Sequence, residues 1–275
     1  MTVKAKKFAY GWVLVSAACT AVLFAATARP DGGDGDRSGS PNGTGTATGV
    51  TRLTARELSD RAEQELLNTS SLHVTVADRS KGAGATSPSA MDLILDRDKD
   101  CMATLSFGAH GKADIVRRGD RVWVRMDDKL WRAQLPGAEG RAAAEQFKGR
   151  YVTGPVGTSA LKNFASVCDL NALRKRLRGG TSADEVGKKG TPTTLGGTPV
   201  IPLTGEKDGT TTTLYVAARG RPYALKYTEV SAGAAGARTT DTTTLYADYG
   251  KPVPLKTPPA SESVEVSKLS SLGAT

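Results

Sequence analysis

Between residues 71 and 126 apolar side chains recur at every second position. Leu72, Val74 and Val76 alternate with His73 and Thr75, and Met91, Leu93 and Leu95 alternate with Asp92, Ile94 and Asp96. Cys101, Ala103, Leu105 and Phe107 follow, then a Gly108–Gly111 turn, Ala113 and Ile115, a Gly119-Asp120 turn, and Val122, Val124 and Met126. A period of two with glycine-marked turns predicts an antiparallel meander with one buried face. A helix precedes it. Thr54 is placed as N-cap, Glu57 completes a capping box, Leu53 and Leu58 form a hydrophobic staple, and Leu58, Ala62 and Leu66 line one face up to Asn68. A helical interlude is expected over 138–148, with two short helices over 159–167 and 170–177 meeting near Cys168. Strands resume near 198–204, 211–218, 222–230 and 241–248. Thr-Thr-Thr-Leu-Tyr occurs at 211–215 and again at 242–246, on what read as alternate strands of one meander; shared β-forming composition accounts for the match. Trp123 and Trp131 bracket the Asp127-Asp128 turn and are expected on the sheet face opposite Val122 and Val124, as core packing under the interlude helices or, as the alternative, lining a ligand cavity. The chain beyond Pro258-Pro259 reads as loose. The pattern as a whole predicts an α+β domain over 51–268 with one curved sheet of about ten or eleven strands, and a tail at 269–275.

Ahead of this domain the pattern is different. Lys4, Lys6 and Lys7 precede 21 uncharged residues, Phe8 to Ala28, and charge returns at Arg29. A basic start, an apolar run and a small-residue end describe an export segment over 1–28. Three readings are ordered: cleavage after Ala26-Thr27-Ala28, then retention as a membrane anchor, for which the run is long enough, and third lipidation of Cys19. Ser16 stands three positions before that cysteine, where a lipoprotein signal prefers Leu. Residues 29–50 are rich in Gly, Asp, Ser and Thr and too poor in apolar side chains to offset their ordering entropy, so they read as a disordered linker. Export leaves Cys101 and Cys168 in a compartment that permits disulfides; a bridge is favoured over two buried thiols.

Net charge is +9, and removing the three N-terminal lysines leaves +6, interleaved with acids rather than massed. That balance argues against nucleic acid as a partner and leaves room for an anionic envelope surface. The chain has two histidines, His73 and His110, without a nucleophile elbow, a metalloprotease helix or a phosphate loop. Asp96, Asp98 and Asp100 open like a calcium loop, but Cys101 stands where Gly is required and Phe107 where the bidentate Glu belongs, so they read as a solvated turn. Arg118-Gly119-Asp120 reads as a hairpin turn, and Arg174, Lys175, Arg176 and Arg178 as a solvated helix end. Neither catalysis, a cofactor nor a metal is expected.

The assembled motifs resemble a group of actinobacterial exported lipoproteins, itself similar to the mycobacterial LprG and LppX lipid carriers and more distantly to the LolA lipoprotein carrier. The resemblance rests on Leu53-Thr54 opening the first helix, Cys101 after an acidic turn, Val122-Trp123-Val124, Leu130-Trp131, Tyr151-Val152 before Gly154-Pro155, and Val167-Cys168-Asp169-Leu170. Leu214-Tyr215-Val216, Arg221-Pro222-Tyr223 and Asp248-Tyr249-Gly250 extend it, over about residues 51–268. It implies a LolA-like half-barrel with helices across its concave face, holding a lipid or other hydrophobic small molecule between sheet and helices. Leu93, Leu95, Leu105, Ile115, Val122 and Val124 are then the candidates for lining a ligand cavity. The alternative is a surface interaction or sensor module with no internal ligand. Membrane contact is expected through the N-terminal segment. A fusion of residues 1–50 to a reporter active only outside the cytoplasm should therefore give signal; an inactive, cytoplasmic fusion contradicts export.

Overall fold

A computed structural model of the chain describes residues 46–80, 87–135, 137–180, 187–231 and 239–268, with side chains omitted at 46–48 and 176–180. The export segment, Cys19, most of the linker and the tail at 269–275 lie outside them. The elements run α1 (Thr46–Arg52), α2 (Ala55–Asn68), β1 (Ser71–Asp78), β2 (Ala90–Asp96), β3 (Cys101–Ser106), β4 (Lys112–Arg118), β5 (Arg121–Met126), α3 (Asp128–Gln134), α4 (Ala138–Gln146) and β6 (Tyr151–Pro155). Then come α5 (Lys162–Val167), α6 (Leu170–Gly180), β7 (Lys188–Lys189), β8 (Thr193–Leu195), β9 (Thr198–Lys207), β10 (Thr210–Ala217), β11 (Ala224–Ser231), β12 (Thr240–Ala247) and β13 (Ser263–Glu265). All thirteen strands form one open sheet in the order β13-β6-β5-β4-β3-β2-β1-β12-β11-β10-β9-β7, with β8 also on β9. Every pairing is antiparallel except β13 with β6. This is the α+β architecture expected.

Local chemistry places the first elements as the sequence predicts. In α2 the Thr54 hydroxyl accepts from the Glu57 amide, and Glu57 Oε2 accepts from the Thr54 amide at 2.8 Å. The Thr54 amide, and after it the Thr54 hydroxyl, donate to the Glu57 carboxylate and hold it below its ordinary pKa range. Leu58, Ala62 and Leu66 are buried. Between β4 and β5, Gly119 takes φ +55°, as a tight hairpin turn requires. In the acidic turn Asp96 Oδ1 accepts from the amides of Asp98 and Asp100, so that carboxylate is committed to shaping the turn.

Five expectations need correction. The linker was expected to run to residue 50, but α1 begins at Thr46, because Val50 finds a place in the core and the Lys189 ammonium donates to the Thr51 and Leu53 carbonyls. Residues 260–268, expected to be loose, are ordered: Val264 is buried and β13 pairs with β6, in register Val264 with Val152. Among the described residues the sheet has thirteen strands rather than about ten or eleven, since β7, β8 and β13 are two or three residues long, too short for a periodicity to register. Trp123 and Trp131 do not share a face. Trp123 pairs with Val116 on the side away from the helices, whereas Trp131 sits on α3 against Phe147, at 5.4 Å between ring centroids. Asp127 is the α3 N-cap, its side chain accepting from the Leu130 amide, so Asp127-Asp128 starts a helix rather than a turn.

Cys101 on β3 and Cys168 between α5 and α6 form a disulfide with Cα atoms 5.6 Å apart. Register places Arg117 of β4 beside Cys101. Its buried guanidinium donates to the carbonyls of Ala165, Cys168 and Gly119 at 2.9–3.3 Å, capping the end of α5. The disulfide and the arginine thus fix the same helix junction to the sheet. The disulfide closes a span of 67 residues, so a Cys101→Ala/Cys168→Ala variant should lose about 2–4 kcal/mol in denaturant unfolding; a loss below about 1 kcal/mol would show that the junction holds without it.

Candidate functional site

Register fixes which side chains face the helices. Leu93 is opposite Val74 and Ala103, Leu95 opposite Leu72 and Cys101, and Leu105 opposite Met91 and Ala113. Ile115 is opposite Ala103 and Val124, Val122 opposite Arg117 and Gly154, and Val124 also opposite Val152. The six residues singled out from the sequence therefore share one face, and none is more than 6% exposed. They belong to one continuous core with Leu58 and Leu66 of α2, Leu130 and Trp131 of α3, Ala143 and Ala144 of α4, Phe164 of α5 and Leu170 of α6. Under the helices these positions are packed side chain against side chain.

The same face opens further along. One row, followed from partner to partner, crosses nine strands: Met126, Ala113, Leu105, Met91, Val76, Thr244, Tyr227, Leu214 and Leu203. Both ends are buried, Met126, Ala113 and Leu105 at one and Leu203 at the other; α3 packs near β4, and α2 near β10 and β11. The five middle members, Met91 to Leu214, are only partly buried, and the four apolar or aromatic ones among them pack against the core. The next row outward, about 6.8 Å along the strands, reads Asp78, Thr242, Glu229, Thr212 and Gly205. Burial raises the Glu229 carboxyl above its ordinary pKa.

The repeated pentapeptide is split by this register. Leu214 and Thr244 both pair with Tyr227, so the two copies are offset by one residue. A one-residue offset sends identical sequences to opposite faces. Leu214 packs on the helix side, while Leu245 points the other way and is 42% exposed.

The remaining candidates are dispersed. His73 lies on the face away from the helices, its Nε2 2.8 Å from Asp92 and its Nδ1 3.5 Å from Asp248, whereas His110 sits in an exposed turn. Arg174 donates to the Thr69 carbonyl and to Asn171 Oδ1; the side chains of Arg176 and Arg178 lie outside the described residues. A polar cleft of about 640 Å³ lies at the ends of β3, β4 and β5, walled by Asp114, Arg125, Lys112 and Lys129; none of the six sequence-predicted residues lines it. There Arg125 donates to Asp114 at 2.9 Å and stacks over Tyr151 at 4.7 Å. Among the described residues no group of three or more His, Cys, Asp or Glu side chains is arranged to hold a metal ion. Nor is any helix among them long and apolar enough to cross a membrane.

No family model and no curated protein matches the chain. Among solved structures, the lipoprotein LppX of Mycobacterium tuberculosis and LprF of Mycobacterium bovis each align with a TM-score of 0.47 and 11% identity. The alignments cover 74% of this chain and 98% and 96% of theirs. MucB, solved in complex with MucA(peri), aligns with a TM-score of 0.30 and 13% identity, over 73% of this chain and 57% of its own.

Sequence reasoning missed Val76, Met91, Tyr227 and Leu214 as a group because they belong together only through register across β2, β1, β12, β11 and β10. The contrast between packed and open parts of the face is measurable. Val124→Trp should cost 1–3 kcal/mol by overpacking a filled core. Val76→Trp, at a partly open position, should cost less than about 1 kcal/mol. Equal losses in denaturant unfolding would show that the middle of the row is as closely packed as its ends.

Proposed function

We propose that this chain is a non-catalytic, exported envelope protein that holds a hydrophobic chain, such as the acyl chain of a lipid, along the open middle of its helix-bearing face. One observation carries the reading. A continuous row with partly exposed Met91, Val76, Tyr227 and Leu214 lies between buried neighbours, Leu105 at one end and Leu203 at the other. Apolar surface left open in the middle of an otherwise covered face is where a hydrophobic ligand gains most from leaving water. The row crosses the strands at about 4.8 Å per step, so its five open members span roughly 19 Å, the length of a long acyl chain. The basic and apolar start of the chain supports export.

A surface interaction module is the second reading. It draws on the packed state of the six positions under the helices and on Val230 and Leu245, which are 50% and 42% exposed on the opposite face. Ultraviolet crosslinking of a diazirine-labelled fatty acyl probe to the full chain separates the two. The carrier reading expects label on the peptides holding Met91, Tyr227 or Leu214, and a drop of at least tenfold in Leu214→Asp with the fold intact. Label confined to the opposite face, or no label on a folded chain, favours the interaction module.

A further inference from the structure

The polar border of the open strip has a definite chemistry. Glu229 stands at its centre, flanked across the strands by Thr242 and Thr212 and one row out from Tyr227. Its carboxylate is half-buried, and among the described residues no hydrogen bond or ion pair reaches it. Asp78, two strands away in the same row, is the second carboxylate, with one oxygen accepting from the Ser80 amide. Among the described residues no cation shares the row; by register the nearest of them on this face is Lys207, two strands away and one row further out. A partly desolvated carboxylate without a donor opposes folding. It therefore favours any ligand that brings a donor to it and disfavours one that brings a second negative charge.

We infer that Glu229, with the hydroxyls of Thr212 and Thr242, reads the polar end of the bound amphiphile and selects a head that donates hydrogen bonds and carries no negative charge. Hydroxylated or amine-bearing heads fit that border; ionised fatty acids and phosphate heads do not. This specificity rests on the reading of the apolar row as the ligand site, and adds to it a residue that touches the ligand's head rather than its chain. Desolvation of the carboxyl is consistent with the same geometry, since water solvates this border poorly in the absence of a ligand.

The test uses three amphiphiles of one chain length, a monoacylglycerol, an alkylamine and a fatty acid. Each displaces a fluorescent apolar probe from the full chain at pH 8, below its micelle concentration. The expected result is binding of the monoacylglycerol and the amine at least tenfold tighter than the fatty acid, with Glu229→Gln reducing that preference to less than about threefold at an unfolding midpoint no lower than that of the native chain. Equal binding of all three by the native chain overturns the head-group inference and leaves the apolar row standing. An undiminished preference in Glu229→Gln overturns the role of Glu229. Failure of all three to bind a folded chain overturns the apolar row as a ligand site and the inference with it.

Discussion

In an antiparallel sheet a residue and its partners on both neighbouring strands point to the same side, so register decides for a whole row of side chains at once whether it is buried or open. Here that rule acts over an unbroken series of antiparallel pairings from β6 to β9. On the helix-bearing face of so wide a sheet, the helices among the described residues do not bury every row. α3 packs near β4 and α2 near β10 and β11, while the row from Met91 of β2 to Leu214 of β10 is left partly open. The candidate site is thus set by where coverage stops rather than by an unusual residue.

Coverage near β4 depends on a small buried assembly. The Cys101–Cys168 disulfide and the Arg117 guanidinium tie the α5–α6 junction to β3 and β4. An arginine buried against backbone carbonyls needs those acceptors in place, so moving the junction would leave a desolvated cation as well as stretch a covalent link. On the other face the chain after β12 passes from the middle of the sheet to its β6 edge. Asp248 contacts His73 at the start of this passage, Thr257 contacts Arg118 further on, and the pairing of β13 with β6 ends it. That passage covers an edge strand which would otherwise present unpaired backbone groups.

Much of the fold was legible in residue types alone. The capping box at Thr54 and Glu57, the period of two through β1 to β5, and the Gly119 turn are each written within a few adjacent residues, and the structure follows them. The bridge between Cys101 and Cys168 followed from compartment and cysteine count. What was not legible depends on relations between distant segments. The six residues proposed as cavity lining do share a face, but whether such a face is packed or open depends on where α2 to α6 come to lie, and those positions are packed. The short strands β7, β8 and β13 exist because longer partners recruit them. The threonine repeats concealed the key fact about themselves, a one-residue offset that turns Leu214 inward and Leu245 outward.

The central claim is that the open middle of the helix-bearing face, and no other surface, holds a hydrophobic chain. Methionine methyl resonances test it directly, because Met91 lies in the open part of the row, Met126 at its buried end, and Met102 on the opposite face. Titration of the full chain with a fatty acyl amphiphile carrying a nitroxide near its tail end should broaden the Met91 methyl signal selectively. Met126 should be affected less and Met102 least. Equal broadening of all three, or broadening of Met102 ahead of Met91, would contradict the account.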